Sequence, residues 1–169
     1  MVKELRQRTG AGIKEVKEIL EQTDGNMEKA IEILRERGIE AAAKKQTREA
    51  SDGRIEIYVH PGSRLAAMVE VNCETDFVAR TDDFISLTRD LALHIAATNP
   101  RYLTTENVPA AVIAESGMPA EKFYEEHVLL HQTFVKDPSL TIQDKIKEGI
   151  ARMGENIVVR RFVRFEVGE

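Results

Sequence analysis

The chain has 169 residues, 42% of them hydrophobic and 31% charged, with a formal net charge of −5, which fits a globular protein of one ordinary domain plus a small one. The acidic balance argues against a general nucleic-acid binder, which gains affinity by neutralising phosphates with clustered Lys and Arg, and no apolar run approaches the roughly 18 residues that cross a bilayer. A charged N-terminal stretch, MVKELRQRTG, and a single cysteine, Cys73, exclude a signal-like apolar segment, an intrachain disulfide and a cysteine-built zinc site, so the expectation is a cytoplasmic protein with a protein partner, no membrane and no direct nucleic-acid contact.

In chain order, VKELRQRTGAG reads as a short helix broken at Gly10 and Gly12. Ile13, Val16, Ile19 and Leu20 then recur at helical spacing, and QTDGN interrupts. In a third helix Met27, Ala30, Ile31 and Leu34 form one stripe, with Asn26 as N-cap and Gly38 placed to end it. Residues 1–40 are thus expected to form a minimal three-helix docking module, and the small, polar stretch 41–52 a linker, helical at its start.

From residue 53 the period changes from 3.6 to 2. Ile55, Ile57 and Val59 alternate with Arg54, Glu56 and Tyr58, HPGS makes a turn, and Leu65, Ala67, Val69 and Val71 alternate again, a β-hairpin. The next stretch, VNCETDFVAR, leaves a strand and places the large ring of Phe77 on a polar corner. Periodicity alone favours Asp76 as the cap of a short turn and Phe77 tucked into the core. A long helix follows, capped by Thr81 or Asp82, with Phe84, Thr88, Leu91, Ala92 and Ile95 on one face and a stop at Asn99 and Pro100. Shorter helices are expected at 109–115 and 119–127. A further helix, capped by Thr141 and ended by Gly154, carries Ile142, Ile146, Ile150 and Met153. The closing strand has apolar odd positions Ile157, Val159, Val163, Phe165 and Val167, apart from Arg161. Residues 53–169 therefore read as an α+β core, an antiparallel sheet with helices on one face.

Signals for catalysis are weak. His127 and His131 have the i, i+4 spacing of a metal pair, but HVLLH lacks the glutamate of a zinc-protease helix and no third ligand is evident. Cys73 has no histidine nearby in sequence and reads as a small buried hydrophobe. TGAG at 9–12 lacks the preceding strand of a phosphate-cradling loop and reads as an interhelical turn. KKQTR reads as a solvated linker face. Arg160, Arg161 and Arg164 on the last strand fit either recognition of a carboxylate or phosphate or protection of an edge strand.

Several stretches together carry a family resemblance. LRQRTGAGIKEVKEIL followed by GNMEKAIEILRERG resembles the N-terminal module of elongation factor Ts, VEVNCETDFVAR resembles that family's most characteristic stretch, and GENIVVRRF and FVRFEVGE resemble its core signatures. The order is kept across nearly the whole chain, least typically over residues 100–140, although HQTFVKDPS there is similar too. The resemblance implies a non-enzymatic guanine nucleotide exchange factor, without cofactor or metal of its own, for elongation factor Tu, the GTPase that delivers aminoacyl-tRNA to the ribosome. It implies that the N-terminal module is ubiquitin-associated-like, and that Thr75, Asp76, Phe77 and Val78 form the element that dislodges the GTPase's magnesium ion. It also implies secondary partner contacts at Leu5, Thr9, Gly10, Ala11 and Gly12. One core copy without coiled-coil heptads places the chain with the short members, which implies a homodimer; the alternation over 157–167 is the expected self-pairing surface.

Overall fold

A computed structural model describes residues 1–169. Three helices open the chain, α1 (Val2–Thr9), α2 (Ile13–Gln22) and α3 (Met27–Ala43). Leu5, Val16, Ile19, Leu20, Ala30 and Leu34 close over one another as a small core of their own. Local chemistry sets the boundaries: Gly10 takes a left-handed φ of 70° and its N–H bonds to Arg6 O, while the Asn26 side chain accepts from Lys29 N at 3.1 Å.

Gly38 does not end α3, which runs on to Ala43. Its missing Cβ is used sideways: a Cβ there would lie 3.1 Å from the Cβ of Ala151, on a later helix, Ile142–Met153. That helix also presents Glu148 to Arg35 at 2.5 Å, and Arg152, whose Nη2 donates to Gln7 O at 2.7 Å. The bundle is thus seated directly on the rest of the molecule. Ala42, in the last turn of α3, is already part of the larger core.

That core lies under a three-stranded antiparallel sheet, β1 (Asp52–Val59), β2 (Leu65–Cys73) and β3 (Val158–Glu166), with β2 in the centre. After β2 come a single helical turn, α4 (Asp76–Ala79), and a long helix, α5 (Asp82–Thr98); α6 (Ala110–Ser116), α7 (Ala120–His127) and α8 (Ile142–Met153) complete the helices. Ala67, Val69, Val71 and Cys73 face Phe84, Leu91 and Ile95 of α5 and Ile142, Ile146 and Ile150 of α8, all buried. Thr81 caps α5, accepting from Phe84 N, and Thr141 forms a reciprocal capping box with Asp144 on α8. The architecture is α+β, as the change of period implied.

Two strands are oriented in ways that periodicity did not show. In β1 it is Arg54, Glu56 and Tyr58 that stand opposite Val71, Val69 and Ala67 on the helix side. Arg54 pairs with Glu56 at 2.9 Å, and Thr88 of α5 donates to the same carboxylate. Ile55, Ile57 and Val59 point the other way and are more than half exposed. In β3 the unbroken alternation of odd positions fails. Val159 pairs with Val71 but Arg161 with Glu70, so Arg160 is an extra, bulged residue and the faces exchange beyond it. Ile157 and Val159 are buried against the helices, whereas Val163 and Phe165 lie on the open side.

The arginines divide accordingly. Arg161 pairs across the strands with Glu70 at 2.7 Å, Arg164 turns inward to donate to Ala96 O and to the carboxylates of Glu166 and Glu169, and Arg160 is exposed on the bulge. His127 and His131 do not share a helix face, because α7 ends at His127 and His131 lies in a separate 3₁₀ turn, Leu129–His131. Their rings pack on Phe123 and Tyr124. No group of three metal-ligating side chains is assembled, and no helix is long and apolar enough to cross a membrane.

Candidate functional site

β2 ends at Cys73, and the chain turns at Glu74 into α4, a turn too short to hold itself together in isolation. It is fastened at both ends instead. Thr75 is the N-cap, its hydroxyl accepting from Val78 N at 3.4 Å; Thr81 donates its hydroxyl to Val78 O at 2.8 Å before capping α5. On the inner side Ala79 is buried and Val78 packs against the main core. The outer side carries Asp76 and Phe77.

Phe77 is 79% exposed, the most exposed large hydrophobic residue of the chain. The expectation from periodicity that this ring belongs to the core is therefore overturned, since one helical turn cannot point Val78, Ala79 and Phe77 all inward. Thr75, not Asp76, is the cap. Asp76 instead pairs with Arg80 one turn on, at 2.8 Å, with its carboxylate about half open to water. The result is an apolar ring flanked by a carboxylate, held out on a short, rigid projection.

Beneath the projection lies a network that the sequence reading did not single out. Gly154, with φ 80°, ends α8 and turns the chain so that Glu155 meets the end of β2. One oxygen of Glu155 accepts from Glu74 N and Thr75 N, both at 3.0 Å, and the other from the Thr75 hydroxyl at 2.6 Å. Glu74 returns the arrangement, its carboxylate accepting from Asn156 N at 2.7 Å. The buried Asn156 amide donates to Gln46 O and Arg48 O of the linker. In the sequence GEN stands out only as part of a family-like string, because partners some 80 residues apart leave no periodic trace.

Cys73 is fully buried, and its thiol donates to Thr75 O at 3.1 Å. Burial, and then the nearby charge of Glu155, push its pKa up to about 11. The thiol stays protonated at neutral pH and is a poor nucleophile, in keeping with its expected role as a small buried side chain.

The second set of expected contact residues lies in the bundle. Leu5 is entirely buried in the small core, so it supports the surface above it rather than forming it. Thr9 donates its hydroxyl to Leu5 O and accepts from Ala11 N, which shapes the turn through Gly10, Ala11 and Gly12. This turn and Arg152 line one cleft of about 420 Å³ between the bundle and α8. Gly10 packs so closely there that a Cβ would fall 2.8 Å from Arg152 Cγ.

Comparison with known proteins bears on the whole chain. The family model described as Elongation factor TS matches residues 2–119 and 117–169, two segments that overlap at 117–119, within the stretch that resembles the family least. A protein of Herpetosiphon aurantiacus named Elongation factor Ts is 59% identical, the alignment covering 99% of this chain and 96% of that one. Proteins of the same name from Carboxydothermus hydrogenoformans and Heliobacterium modesticaldum are each 50% identical over 100% of this chain and 88% and 89% of their own. With both the family model and these relatives spanning nearly its full length, the chain belongs to the elongation factor Ts family of translation elongation factors.

Proposed function

We propose that the chain is a guanine nucleotide exchange factor for elongation factor Tu, acting in the cytoplasm without catalytic chemistry of its own. The observation that carries this reading is the projection at Thr75–Val78, which exposes Phe77 on a well-anchored turn. A free protein gains nothing by holding a phenylalanine in water. The arrangement fits an aromatic anchor that is buried in a partner, the usual form of an interface hot spot.

A factor that binds the nucleotide-free GTPase more tightly than the loaded one must weaken nucleotide binding by the same ratio. A thousandfold acceleration of release corresponds to roughly 4 kcal/mol, and burying one phenylalanine supplies about 1.5–3 kcal/mol. The remainder is assigned to Asp76, whose carboxylate competes electrostatically near the magnesium and phosphate ligands of the GTPase or repositions its backbone, and to contacts elsewhere. We assign those other contacts to the turn Thr9–Gly12, with Leu5 beneath it. In this reading residues 1–40 are a ubiquitin-associated-like module, 41–52 a linker and 53–169 the core domain.

The direct test is release of a fluorescent GDP from elongation factor Tu. Catalytic amounts of the chain accelerate release if the proposal holds; binding without acceleration would make it an adaptor and refute the exchange reading.

We further propose that the protein is a homodimer, joined through the open face of its sheet. Ile55, Ile57 and Val59 of β1, Met68 of β2 and Phe165 of β3 expose apolar surface there while polar side chains occupy the inward positions of β1. An apolar face of this kind is normally covered. Ile57, Met68 and Val163 form one cross-strand row at its middle. Met68→Glu is expected to convert a dimer into a folded monomer in sedimentation at micromolar concentration; a wild-type protein that sediments as a monomer over that range defeats the proposal.

A further inference from the structure

The network under the projection has a form that simple stapling of loops does not require. Two chain segments exchange contacts crosswise: the Glu155 carboxylate takes the backbone N–H groups of Glu74 and Thr75, and the Glu74 carboxylate takes the backbone N–H of Asn156. Glu155 also takes the hydroxyl of Thr75, the residue whose side chain caps α4. One carboxylate therefore sets both the backbone direction on entering the turn and the rotamer of the cap that defines it. Hydrogen bonds to an ionised acceptor are roughly twice as strong as neutral ones, and three converge here.

We propose that Glu155 is a positioning residue for nucleotide exchange, fixing the direction in which Phe77 and Asp76 leave the protein. Its hydrogen bonds go to Glu74 and Thr75, while Asp76 pairs with Arg80; it acts through Thr75. The inference rests on the exchange reading above, since direction matters only if the projection must enter a partner. A four-residue turn carried on a free loop would lose conformational freedom on binding, whereas one already held in place does not, and that saving appears as affinity for the state in which the projection is inserted. Glu74, crossing back to Asn156, is the second half of the same clasp. Asn156 extends it to the linker carbonyls of Gln46 and Arg48.

The test compares Glu155→Ala, Glu155→Gln, Phe77→Ala and the double variant Glu155→Ala/Phe77→Ala. Two measurements are made: stimulated GDP release from elongation factor Tu, and amide hydrogen exchange at Glu74 and Thr75 in the free protein. Glu155→Ala is expected to slow stimulated release about tenfold and to speed exchange of the two amides at least tenfold. Gln still offers an oxygen to both amides and is expected to recover most of each loss. The double variant is expected to be no slower than Phe77→Ala alone, because a residue that only aims the ring has nothing left to aim.

Glu155→Ala with wild-type release overturns the proposal, as does an effect that multiplies in full with that of Phe77→Ala, or a Gln variant no better than Ala. If the wild-type chain does not stimulate release, it is the exchange reading that fails; if the wild-type chain stimulates it and Phe77→Ala does so equally, the role assigned to Phe77 fails and the positioning proposal with it. The amide measurement separates the two failures: unchanged protection in Glu155→Ala overturns the positioning role whatever the release assay shows.

Discussion

Phe77→Ala is expected to leave the melting temperature within about 2 °C of wild type while slowing stimulated release of GDP about 10- to 100-fold. The first half follows from exposure. With 79% of the residue open to water, truncating it removes little of the surface buried on folding and leaves no cavity. The second half follows from the energy of an anchoring aromatic ring: about 1.5–3 kcal/mol lost from the inserted state is one to two powers of ten in rate. Thermal unfolding and the fluorescent GDP assay on the same preparation check both. A melting point lowered by many degrees, with release per folded molecule unchanged, would return Phe77 to a structural role.

Gly53→Ala is expected to have the opposite profile, a severe loss of stability. Gly53 pairs with Asn72 near the end of β2 at a φ of 148°, and a Cβ there would lie 2.2 Å from Val71 O and 2.7 Å from Asn72 Cα. Neither atom belongs to a flexible side chain that could swing aside, so the strands themselves must part. Backbone strain of about 1–3 kcal/mol plus overpacking of similar size gives about 2–6 kcal/mol. At this chain length that is a fall of roughly 4–24 °C in melting temperature, readable by circular dichroism. Gly12→Ala is the control, with φ −66° and nothing within 4 Å of the new methyl group; it meets no clash and is expected to cost no more than about 1 kcal/mol, the penalty of Ala at the N-cap of α2. Equal melting points for the two variants would show that the approach of β1 to β2 is not tight.

What was legible in the amino-acid sequence was mostly what neighbouring residues decide among themselves. Asn26, Thr81 and Thr141 cap their helices through side chains that reach only three residues along the chain. The hairpin and the long helix α5 show their own periods. The local pattern misleads where a distant segment decides. Gly38 resembles a helix terminator, but Ala151 dictates its small size. The phase of β3 changes at Arg160, where an extra residue exchanges the two faces of the strand although the alternation along the chain, apart from Arg161, continues. Glu155 had no visible signal, since its donors lie 80 and 81 positions away. The projection itself became legible only through the family-like string around it; its local pattern suggested a buried ring.

The seating of the bundle on α8 has a consequence for how the two proposed contact surfaces work together. Gly38 lies against Ala151 and Gly10 against Arg152, Arg35 pairs with Glu148 and Arg152 donates to Gln7 O across the same junction, and the chain is held at Gln46 and Arg48 by the clasp under the projection. A bivalent ligand on a slack tether gains an effective concentration of only about millimolar order for its second contact. Here the spacing between the bundle and the projection is preset, so once one surface engages, the other is delivered at a fixed distance and angle. Such a calliper closes readily on a partner of matching span and poorly on any other, so that under the proposed exchange function the dimensions of the GTPase are part of what is recognised.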